Sequence, residues 1–563
     1  MSETDVDRLV ESYLGGGVSR RDFVKTGVAL GLSMSAVGSL LAACSNQNQS
    51  NQNASSGTPK RGGTLREGYD LDFSRMDPIN TTWYDPGFFA LYDALVINDP
   101  NGAYVPQLAE KWSFSADGKT ATFTIRKGAQ FHSGRPMTAG AIKEVFDTIA
   151  KPDSGSPLQT LWVGPVASTE APDDNTLVIH LKHPYFDLLN VVKTGYWRVV
   201  NIATRTKLGD QYGKQVIDGS GPFTFVDWVP GDHVTVKRWD SYPGSIVPFF
   251  QNKGKPYLDG IKWVAILEAS QRAIQIENGQ IDTLRGPAYQ DVARLMGNSN
   301  LNVIQLKSDW SGYVAGLNFT KTNLDFQDKR VRQAVSYAID RQAIVKSLFF
   351  GFAEPLYGPV PSADKYYTKQ VEQYNQFNLN KAKQLMSDAG WKPGADGILV
   401  KNGVKQQFSM VIQAESVNQQ LASAVQAQLR TLGMDVKIDA YDRGTYFNKL
   451  FSQPDAFLFF YQWPVPIDVV TLFINSAALS PNGPNWSMAN IPEVDQAVAA
   501  WQGASNEKEL GDGGAKIQTT VADNLPIIPI VARQSFWVHR KNVHGWTPLK
   551  WDLYPYYNDV WLD

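Results

Sequence analysis

Residues 421–440, LASAVQAQLRTLGMDVKIDA, change their hydrophobic period at a single glycine. Before Gly433 the apolar residues recur every three or four positions, which is the period of one helix face. After Gly433 they alternate with polar residues, which is the period of a strand. The helical positions are Leu421, Val425, Leu429 and Leu432, and the strand positions are Met434, Val436, Ile438 and Ala440. A helix that ends at a glycine and leads directly into a strand predicts α/β layers rather than a helix bundle or a β-sandwich.

The same alternation of short strands and amphipathic helices continues along the chain from Gly62 onwards. Period-two runs around turn residues predict strands, and apolar residues at helical spacing predict helices. The predicted strands are a hairpin over 112–126 with its turn at 115–118, a hairpin over 223–239 around Pro230-Gly231, and a strand over 177–181. The predicted helices span 138–149 with Thr138 as N-cap, 331–339 and 380–389, and Gly351 is expected as the C′ residue of a helix after Ile339.

Composition limits the class of protein. The chain has 563 residues, of which 43% are hydrophobic, so it exceeds the size of a single core and two or more domains are expected. Its 53 basic and 55 acidic residues nearly balance, which gives no general attraction to nucleic acid. The single cysteine excludes a disulfide framework and any multi-cysteine metal site.

Motifs that carry catalysis are missing from the sequence. It contains no G-x-S-x-G elbow, H-E-x-x-H pair, Walker phosphate loop or dinucleotide-binding G-x-G-x-x-G. His180 and His183 are three residues apart in a predicted strand, so they would point to opposite faces and could not share a metal. We therefore expect a protein that is not an enzyme and that holds no metal or cofactor.

The amino terminus has the pattern of an export signal. Arg20 and Arg21 precede a weakly apolar stretch over 27–43, and residues 41–44 read LAAC. This order resembles a twin-arginine (Tat) signal followed by a lipobox, in which Cys44 takes a diacylglycerol and becomes the mature terminus. The alternative is an ordinary membrane helix, which the many glycine and serine residues of the stretch disfavour. Residues 1–43 are thus predicted as a signal and 44–60 as a flexible linker.

Aromatic residues provide the candidate binding site. They stand near predicted strand ends or in turns rich in proline, glycine and asparagine, where a ring can both pack against a solute and hydrogen-bond to it. The candidates are Trp83, Tyr84, Trp310, Tyr313, Tyr461, Trp463 and Trp486. The alternative for each ring is packing in the core or between lobes.

Ordered motifs along the body resemble one family, the extracytoplasmic solute-binding proteins of ABC importers in the oligopeptide-, dipeptide- and nickel-binding group, solute-binding family 5. The motifs are GGTL at 62–65, MDP at 76–78, LAEKW at 108–112, FTIRKG at 123–128, FHSGRPMTA at 131–139, GSGPF at 219–223, VRQA at 331–334, AIDR at 338–341 and PVP at 359–361. The chain departs from the family at Ser133, where an aspartate is frequent, and at Gly140, where an acidic residue is usual.

The resemblance implies an α/β fold of the periplasmic-binding-protein type II kind, with two lobes, a hinge and three domains. The implied limits are 61–103, 218–312 and 531–563 for a discontinuous domain I, 104–217 for an inserted domain II, and 313–530 for domain III. Such a protein would work as a monomer in the periplasm or on the outer face of the cell membrane. It would capture a peptide-like, amine-bearing or sugar-like solute and deliver it to the permease subunits of an importer.

The class of solute depends on one acidic residue. Peptide binders of the family carry a W-x-x-D-Y motif whose aspartate pairs with the amino terminus of the ligand. Here residues 463–468 read WPVPID, so that Pro466 occupies the aspartate position and Asp468 follows two residues later. An Asp468 that lines the cleft would favour an amine-bearing solute, and an Asp468 that faces water would favour a neutral or sugar-like one. The alternatives to a transport receptor are an exported cofactor-containing enzyme and a solute sensor on the same fold.

Overall fold

The computed structural model describes residues 57–73, 75–81, 85–156, 159–185, 188–306, 312–452, 457–461, 467–481, 483–504, 506–549 and 554–563. The predicted signal, with Arg20, Arg21 and Cys44, lies outside these residues, as does most of the predicted linker 44–60. Within the described residues, no helix combines the length and the apolar character that crossing a bilayer requires.

Short strands and short helices alternate up to residue 306. The strands are β1 (Thr64–Tyr69), β2 (Val96–Asn98), β3 (Tyr104–Pro106), β4 (Ala109–Phe114), β5 (Thr120–Ile125), β6 (Val166–Asp173), β7 (Thr176–Leu181), β8 (Phe223–Val229), β9 (His233–Arg238), β10 (Gly260–Ala265), β11 (Thr283–Arg285) and β12 (Leu301–Leu306). The helices are α1 (Gly87–Leu91), α2 (Ala139–Ala150), α3 (Gln159–Val163), α4 (Leu188–Lys193), α5 (Ile202–Leu208), α6 (Ala269–Glu277) and α7 (Tyr289–Met296), with 3-10 turns at Gly195–Trp197 and Gly209–Gln211.

Longer helices appear in the remainder of the chain. The strands are β13 (Gly312–Leu317), β14 (Ala353–Pro355), β15 (Lys392–Pro393), β16 (Leu399–Lys401), β17 (Val404–Lys405), β18 (Gln407–Gln413), β19 (Asp435–Tyr441), β20 (Phe457–Tyr461), β21 (Ile528–Arg533), β22 (Ser535–Arg540), β23 (Val543–His544) and β24 (Trp561–Leu562). The helices are α8 (Lys329–Ala338), α9 (Arg341–Leu348), α10 (Leu379–Asp388), α11 (Ser416–Leu432), α12 (Arg443–Ser452), α13 (Ile467–Ile474), α14 (Pro492–Gln502) and α15 (Glu507–Asn524), with 3-10 turns at Thr322–Leu324, Lys369–Gln373 and Ser476–Ala478.

A seven-stranded sheet gathers strands from three separate parts of the chain, in the order β12-β22-β11-β1-β10-β9-β8. β1 pairs in parallel with both β10 and β11, so the carboxyl ends of these three strands meet at one edge. We call the body built on this sheet, residues 61–306 and 535–562, the first lobe. It includes a smaller sheet in the order β4-β5-β7-β6, on which α2 packs.

A six-stranded sheet forms the centre of the second lobe, residues 312–533, in the order β14-β21-β13-β20-β18-β19. β18 pairs in parallel with β19 and β20, and α11 connects β18 to β19. Gly433 closes α11 with a φ of +97°, and a Cβ there would lie 2.9 Å from the Leu399 side chain and 3.0 Å from the Gly397 carbonyl oxygen. The tight helix-to-strand turn therefore requires glycine at this position.

The chain passes between the two sheets at two places. β21, in the second sheet, ends at Arg533, and β22, in the first sheet, begins at Ser535, so only Gln534 separates them. The other passage joins β12 to β13. Each lobe has its own buried apolar core, so a change of angle at these passages leaves both cores packed.

Local periodicity predicted the elements well. The two predicted hairpins are β4–β5 and β8–β9, the predicted strand 177–181 is β7, and the predicted helices are α2, α8 and α10. Thr138 caps α2 by accepting a hydrogen bond from the Ala141 amide at 3.3 Å. α9 ends at Leu348, and Gly351 lies past its end, one residue beyond the expected C′ position, with a φ of +85° and its amide donating to the Val345 carbonyl oxygen at 3.1 Å. The sequence did not predict that Phe350, just before it, also has a positive φ of +52°.

A buried glutamate ties the carboxyl-terminal segment to the first sheet. The carboxylate of Glu67, in β1, accepts hydrogen bonds of 3.0 Å from the Tyr557 hydroxyl, the Thr283 hydroxyl and the Trp546 indole N–H. Its side chain is almost fully buried, and burial raises the pKa of Glu67 to about 7 although these donors oppose the rise. The three contacts join β1, β11 and the segment beyond β22, which are far apart in sequence.

Because the pKa of Glu67 is raised in the folded protein, the free energy of unfolding should decrease as the pH rises. Since the folded protein binds the Glu67 proton more tightly than the unfolded chain does, this stabilisation is complete below about pH 4.5 and is lost as the pH rises through about 7. Between pH 5 and pH 8 we expect the free energy of unfolding of the wild type, relative to that of Glu67→Gln, to fall by up to about 3 kcal/mol. Melting temperatures of the two proteins, measured across this pH range, check the prediction.

The control is Glu110→Gln, an exposed glutamate on β4, which should track the wild type at every pH. A constant difference between the wild type and Glu67→Gln across this range would contradict the titration. At pH 5, Glu67→Ala should lower the free energy of unfolding by about 2–4 kcal/mol more than Glu67→Gln does, because alanine leaves the indole N–H without an acceptor.

Candidate functional site

A cleft of about 610 Å³ lies between the two lobes. The first lobe contributes residues 70–72, residues within 267–272, and 285–290 to its lining. The second lobe contributes residues within 413–420 together with Leu348, Phe350, Tyr446 and Phe447. Residues 533–536, where the chain passes from one lobe to the other, line it as well.

The positions of these segments follow from the sheets. Residues 70–72 come directly after β1, residues 267–272 come after β10, and residues 285–290 include the end of β11 and the loop that leads to α7. In the second lobe residues 413–417 include the end of β18, which runs parallel to its neighbours, and the start of α11. The carboxyl ends of parallel strands leave their loops on the same edge of a sheet, and this edge is where α/β proteins bind ligands. The cleft thus lies between the two sheet edges at which the parallel strands of each lobe end.

An arginine holds together the first-lobe wall of the cleft. Arg272, on α6, is only 5% exposed, and it donates hydrogen bonds to the carbonyl oxygens of Leu267 at 3.0 Å and Gly286 at 2.6 Å. Burial lowers its pKa, the Asp70 carboxylate opposes that change, and the neighbouring Arg285 adds to it. Because its donors are directed at main-chain carbonyls, Arg272 positions the loops around it.

Two further charged groups face the cleft beside Arg272. Asp70 follows β1 directly, and no described residue donates a hydrogen bond to its enclosed Oδ1 atom. Arg285, the last residue of β11, is 7% exposed, and its guanidinium lies 5.6 Å from the ring centre of Trp537 and 5.3 Å from that of Tyr554. Such cation–aromatic contacts hold a guanidinium in one orientation.

The second-lobe wall carries an exposed aromatic ring in an unfavourable backbone conformation. Phe350 is 55% exposed and has a φ of +52°, which costs a residue with a bulky side chain about 1–2 kcal/mol. Leu267, on the first-lobe wall, is 63% exposed. Large apolar side chains on opposite walls of one cleft gain contacts when the walls approach each other.

Two of the predicted aromatic residues lie behind the cleft wall. Tyr313, on β13, is 1% exposed and packs against Phe349, which in turn contacts the cleft-lining Tyr289. Trp486 is 4% exposed, and its ring centre lies 6.2 Å from that of the cleft-lining Phe447. Both rings therefore support residues of the wall in this conformation, and their direct contact with a solute stays a prediction.

The other predicted site residues lie outside the part of the chain that the structure describes, either entirely or in their side chains. Trp83, Tyr84, Trp310 and Trp463 lie outside the described residues. Tyr461 ends β20 and Asp468 lies in α13, but their side chains are outside the described part of the chain. Sequence reasoning missed Asp70, Arg285 and Arg533. The signal that could have found them was a charged residue directly at the end of an apolar strand, in Tyr69-Asp70, Leu284-Arg285 and Ala532-Arg533.

The described residues contain no group of three or more histidine, cysteine or acidic side chains arranged to hold a metal ion. What the cleft offers is a polar floor with both signs of charge, flanked by apolar side chains. This arrangement suits reversible binding of a small polar solute.

Comparisons with known proteins identify the family. Residues 103–482, more than half of the chain, match the model of the bacterial extracellular solute-binding proteins, family 5 Middle. The glutathione-binding protein GsiB of Salmonella paratyphi A is 27% identical over 484 residues, which cover 84% of this chain and 90% of that protein.

Solved structures share the fold. The oligopeptide-binding protein AppA from Bacillus subtilis, in complex with a nonapeptide, is 23% identical with a TM-score of 0.79, over 90% of this chain and 100% of that one. The ABC transporter-associated periplasmic binding protein DppA from Helicobacter pylori, in complex with the peptide STSA, is 23% identical with a TM-score of 0.76, over 89% of this chain and 98% of that one. The predicted family and the predicted two-lobe α/β fold are confirmed. The chain belongs to the bacterial extracellular solute-binding proteins of family 5.

Proposed function

We propose that this protein is the solute receptor of an ABC importer and that it captures a peptide-like or other small polar solute by closure of its two lobes. The observation that carries the proposal is the cleft, which is lined by strand-end loops of both lobes and by the residues through which the chain passes between them. The relatives named for binding glutathione, a nonapeptide and the peptide STSA support a peptide-like solute.

Closure follows from how the lobes are joined. A solute that contacts both walls makes all of its contacts only when the lobes approach, so binding shifts the population towards the closed form. Gln534 separates the two sheets by one residue, and a small rotation there moves the walls without unpacking either core. No chemical step is required, so the protein needs no catalytic residue and no cofactor.

The division into three domains is a further part of the proposal, with 61–103, 218–312 and 531–563 as domain I, 104–217 as domain II and 313–530 as domain III. The strand pairing supports domain III with slightly wider limits, 312 and 533, because β13 begins at Gly312 and β21 pairs within the second-lobe sheet up to Arg533. The four-stranded sheet supports the inserted domain II, because its strands all fall within 104–217.

Attachment to the membrane is the second part of the proposal. A lipid on Cys44, followed by the polar linker up to residue 60, would keep the receptor near the permease on the outer face of the membrane. The twin-arginine pair, Arg20 and Arg21, would send the chain through the Tat route, which exports proteins already folded.

The receptor function predicts stabilisation by a solute together with compaction. We expect at least one member of a panel of peptides, amino-acid derivatives, opines and oligosaccharides to raise the melting temperature, because a ligand that binds only the folded form stabilises it. The same solute should reduce the radius of gyration in small-angle scattering. Native mass spectrometry of gently purified protein should identify a retained solute. A panel without effect, or conversion of a bound solute into product, would contradict the proposal.

The anchor predicts a specific response to mutation. Cys44→Ser should remove incorporation of labelled fatty acid and release the protein from the membrane fraction, whereas Ser45→Ala should change neither. Arg20→Lys combined with Arg21→Lys should leave the precursor inside the cell. Membrane attachment that persists in Cys44→Ser would show that the apolar stretch is an ordinary membrane helix.

Replacing Phe350 should have opposite effects on the stability of the protein and on its affinity for the solute. Phe350→Asn should raise the free energy of unfolding by about 1 kcal/mol, because asparagine tolerates a positive φ. It should also weaken binding of the solute found in the panel by about fivefold or more, because less apolar surface is buried on closure. Phe377→Asn is the matched control: Phe377 is 49% exposed and does not line the cleft, so affinity should not change. Unchanged affinity in Phe350→Asn would remove Phe350 from the binding surface.

A further inference from the structure

We propose that residues 349–352, which read FFGF, couple the binding of a solute to the angle between the two lobes, and we call them the coupling segment. In this segment Phe350 contacts the solute in the cleft, while Phe349 and Phe352 contact the first lobe beside the passage between the sheets. The inference rests on the proposed function and specifies how closure at that site is controlled.

The coupling segment is a tight turn that follows α9. The Phe352 amide donates to the Phe349 carbonyl oxygen at 2.7 Å, and the two residues between them have positive φ values, +52° at Phe350 and +85° at Gly351. Type I′ turns have the same pair of positive φ values. The Gly351 amide donates to the Val345 carbonyl oxygen at 3.1 Å, which attaches the turn to the helix. Because hydrogen bonds close the turn, a displacement of Phe350 also displaces the residues on both sides of it.

Two rings of the coupling segment pack edge to face against rings of the first lobe. The ring centre of Phe349 lies 5.1 Å from that of Tyr289, at the start of α7, with an angle of 73° between the ring planes. The ring centre of Phe352 lies 5.0 Å from that of Phe536, in β22, with an angle of 79°. Tyr289 and Phe536 contact each other as well, at 6.2 Å and 81°. Edge-to-face contacts depend on direction, so these four rings favour one relative orientation of the lobes.

The coupling segment also bonds to Gln534, the one residue between β21 and β22. The Gln534 amide donates to the Phe352 carbonyl oxygen at 3.0 Å. On the first-lobe side, the Gln534 carbonyl oxygen accepts from the Tyr289 hydroxyl at 3.0 Å, and its side-chain oxygen accepts from the Gln305 side-chain amide at 2.6 Å. Groups this near the passage move little when the lobes turn, so these contacts persist during closure and restrict the directions in which the lobes can turn.

Phe350 is the part of the coupling segment that a solute can reach. Its side chain is 55% exposed and lines the cleft, whereas Phe349 and Phe352 do not line it. Positive φ values at residues other than glycine concentrate at ligand clamps and switch segments. A solute in contact with Phe350 therefore acts on a segment whose other two rings set the lobe angle. Loss of those ring contacts leaves a smaller fraction of the protein in the orientation that binds, and the apparent affinity falls with that fraction.

The spread of lobe angles in the solute-free protein tests the coupling segment. Spin labels are attached at Asp153→Cys in the first lobe and Glu493→Cys in the second, both exposed and outside the cleft, in the full chain with Cys44→Ser. Double electron–electron resonance then measures the distribution of distances between the labels.

We expect Phe352→Leu, which keeps an apolar side chain but removes the ring, to widen this distribution by about half or more. Phe352→Tyr, which keeps the ring, should leave the width unchanged. So should the control Phe377→Leu, at an exposed ring that does not line the cleft. Phe352→Met is the second ring-free variant if Phe352→Leu does not fold. An unchanged width in the ring-free variant overturns the coupling segment and leaves the receptor function standing.

Affinity is a second readout, which a purely structural role of Phe352 would not change. In calorimetric titrations with glutathione and with the tetrapeptide Ser-Thr-Ser-Ala, Phe352→Leu should bind about fivefold or more weakly than the wild type, and Phe352→Tyr should bind as the wild type does. The loss of affinity caused by Phe350→Asn should be smaller in the Phe352→Leu background, because both changes act through one segment. Equal affinity of the wild type and Phe352→Leu, or losses that simply add, overturn the coupling segment. Failure of both probes to bind the wild type counts against the proposed function, and the width of the distance distribution then decides on the coupling segment.

Discussion

One constraint organises the whole molecule: parallel strands release their loops on a single edge, and two such edges are held facing each other by a short connection. In the first lobe β1, between β10 and β11, defines that edge. In the second lobe β18 does so, between β19 and β20. Gln534 alone separates the sheets where β21 gives way to β22. The order of the strands therefore determines where the cleft lies, and the side chains at the ends of those strands determine its charge and polarity.

The sequence predicted whatever depends on neighbours along the chain. Thr138 marks the start of α2 and Gly433 marks the end of α11, because capping and left-handed turns are decided within a few residues. Phe350 is the instructive exception. Gly351 has a positive φ past the end of α9, but burial of Phe349 ends the helix early enough that Phe350 also takes a positive φ, a conformation that glycine prefers. Tertiary packing outweighed local preference there by accepting a cost of about 1–2 kcal/mol.

The sequence carries less information about the site than about the fold, for a physical reason. Aromatic rings near turns suggested the walls of a cleft, yet Tyr313 and Trp486 are nearly fully buried behind the wall residues Tyr289 and Phe447. An aromatic ring has the same favourable contacts in a core and in a cleft wall, so residue type cannot distinguish the two. Asp70, Arg285 and Arg533 escaped notice because they are separated by hundreds of residues, and only the pairing of β1 with β11 and the position of β21 bring them to one cleft.

Two carboxylates near the end of β1, Glu67 and Asp70, differ in the hydrogen bonds that the protein itself supplies. Glu67 is buried with three donors from the protein itself, so its carboxylate is satisfied whether or not a solute is present. Asp70, three residues later on the same strand end, has an enclosed oxygen to which no described residue donates. A group that the protein satisfies stabilises the fold in both the open and the closed form, and it cannot bias the equilibrium between them. A group that only a solute satisfies contributes when the solute is bound, and it can therefore make closure depend on the identity of that solute.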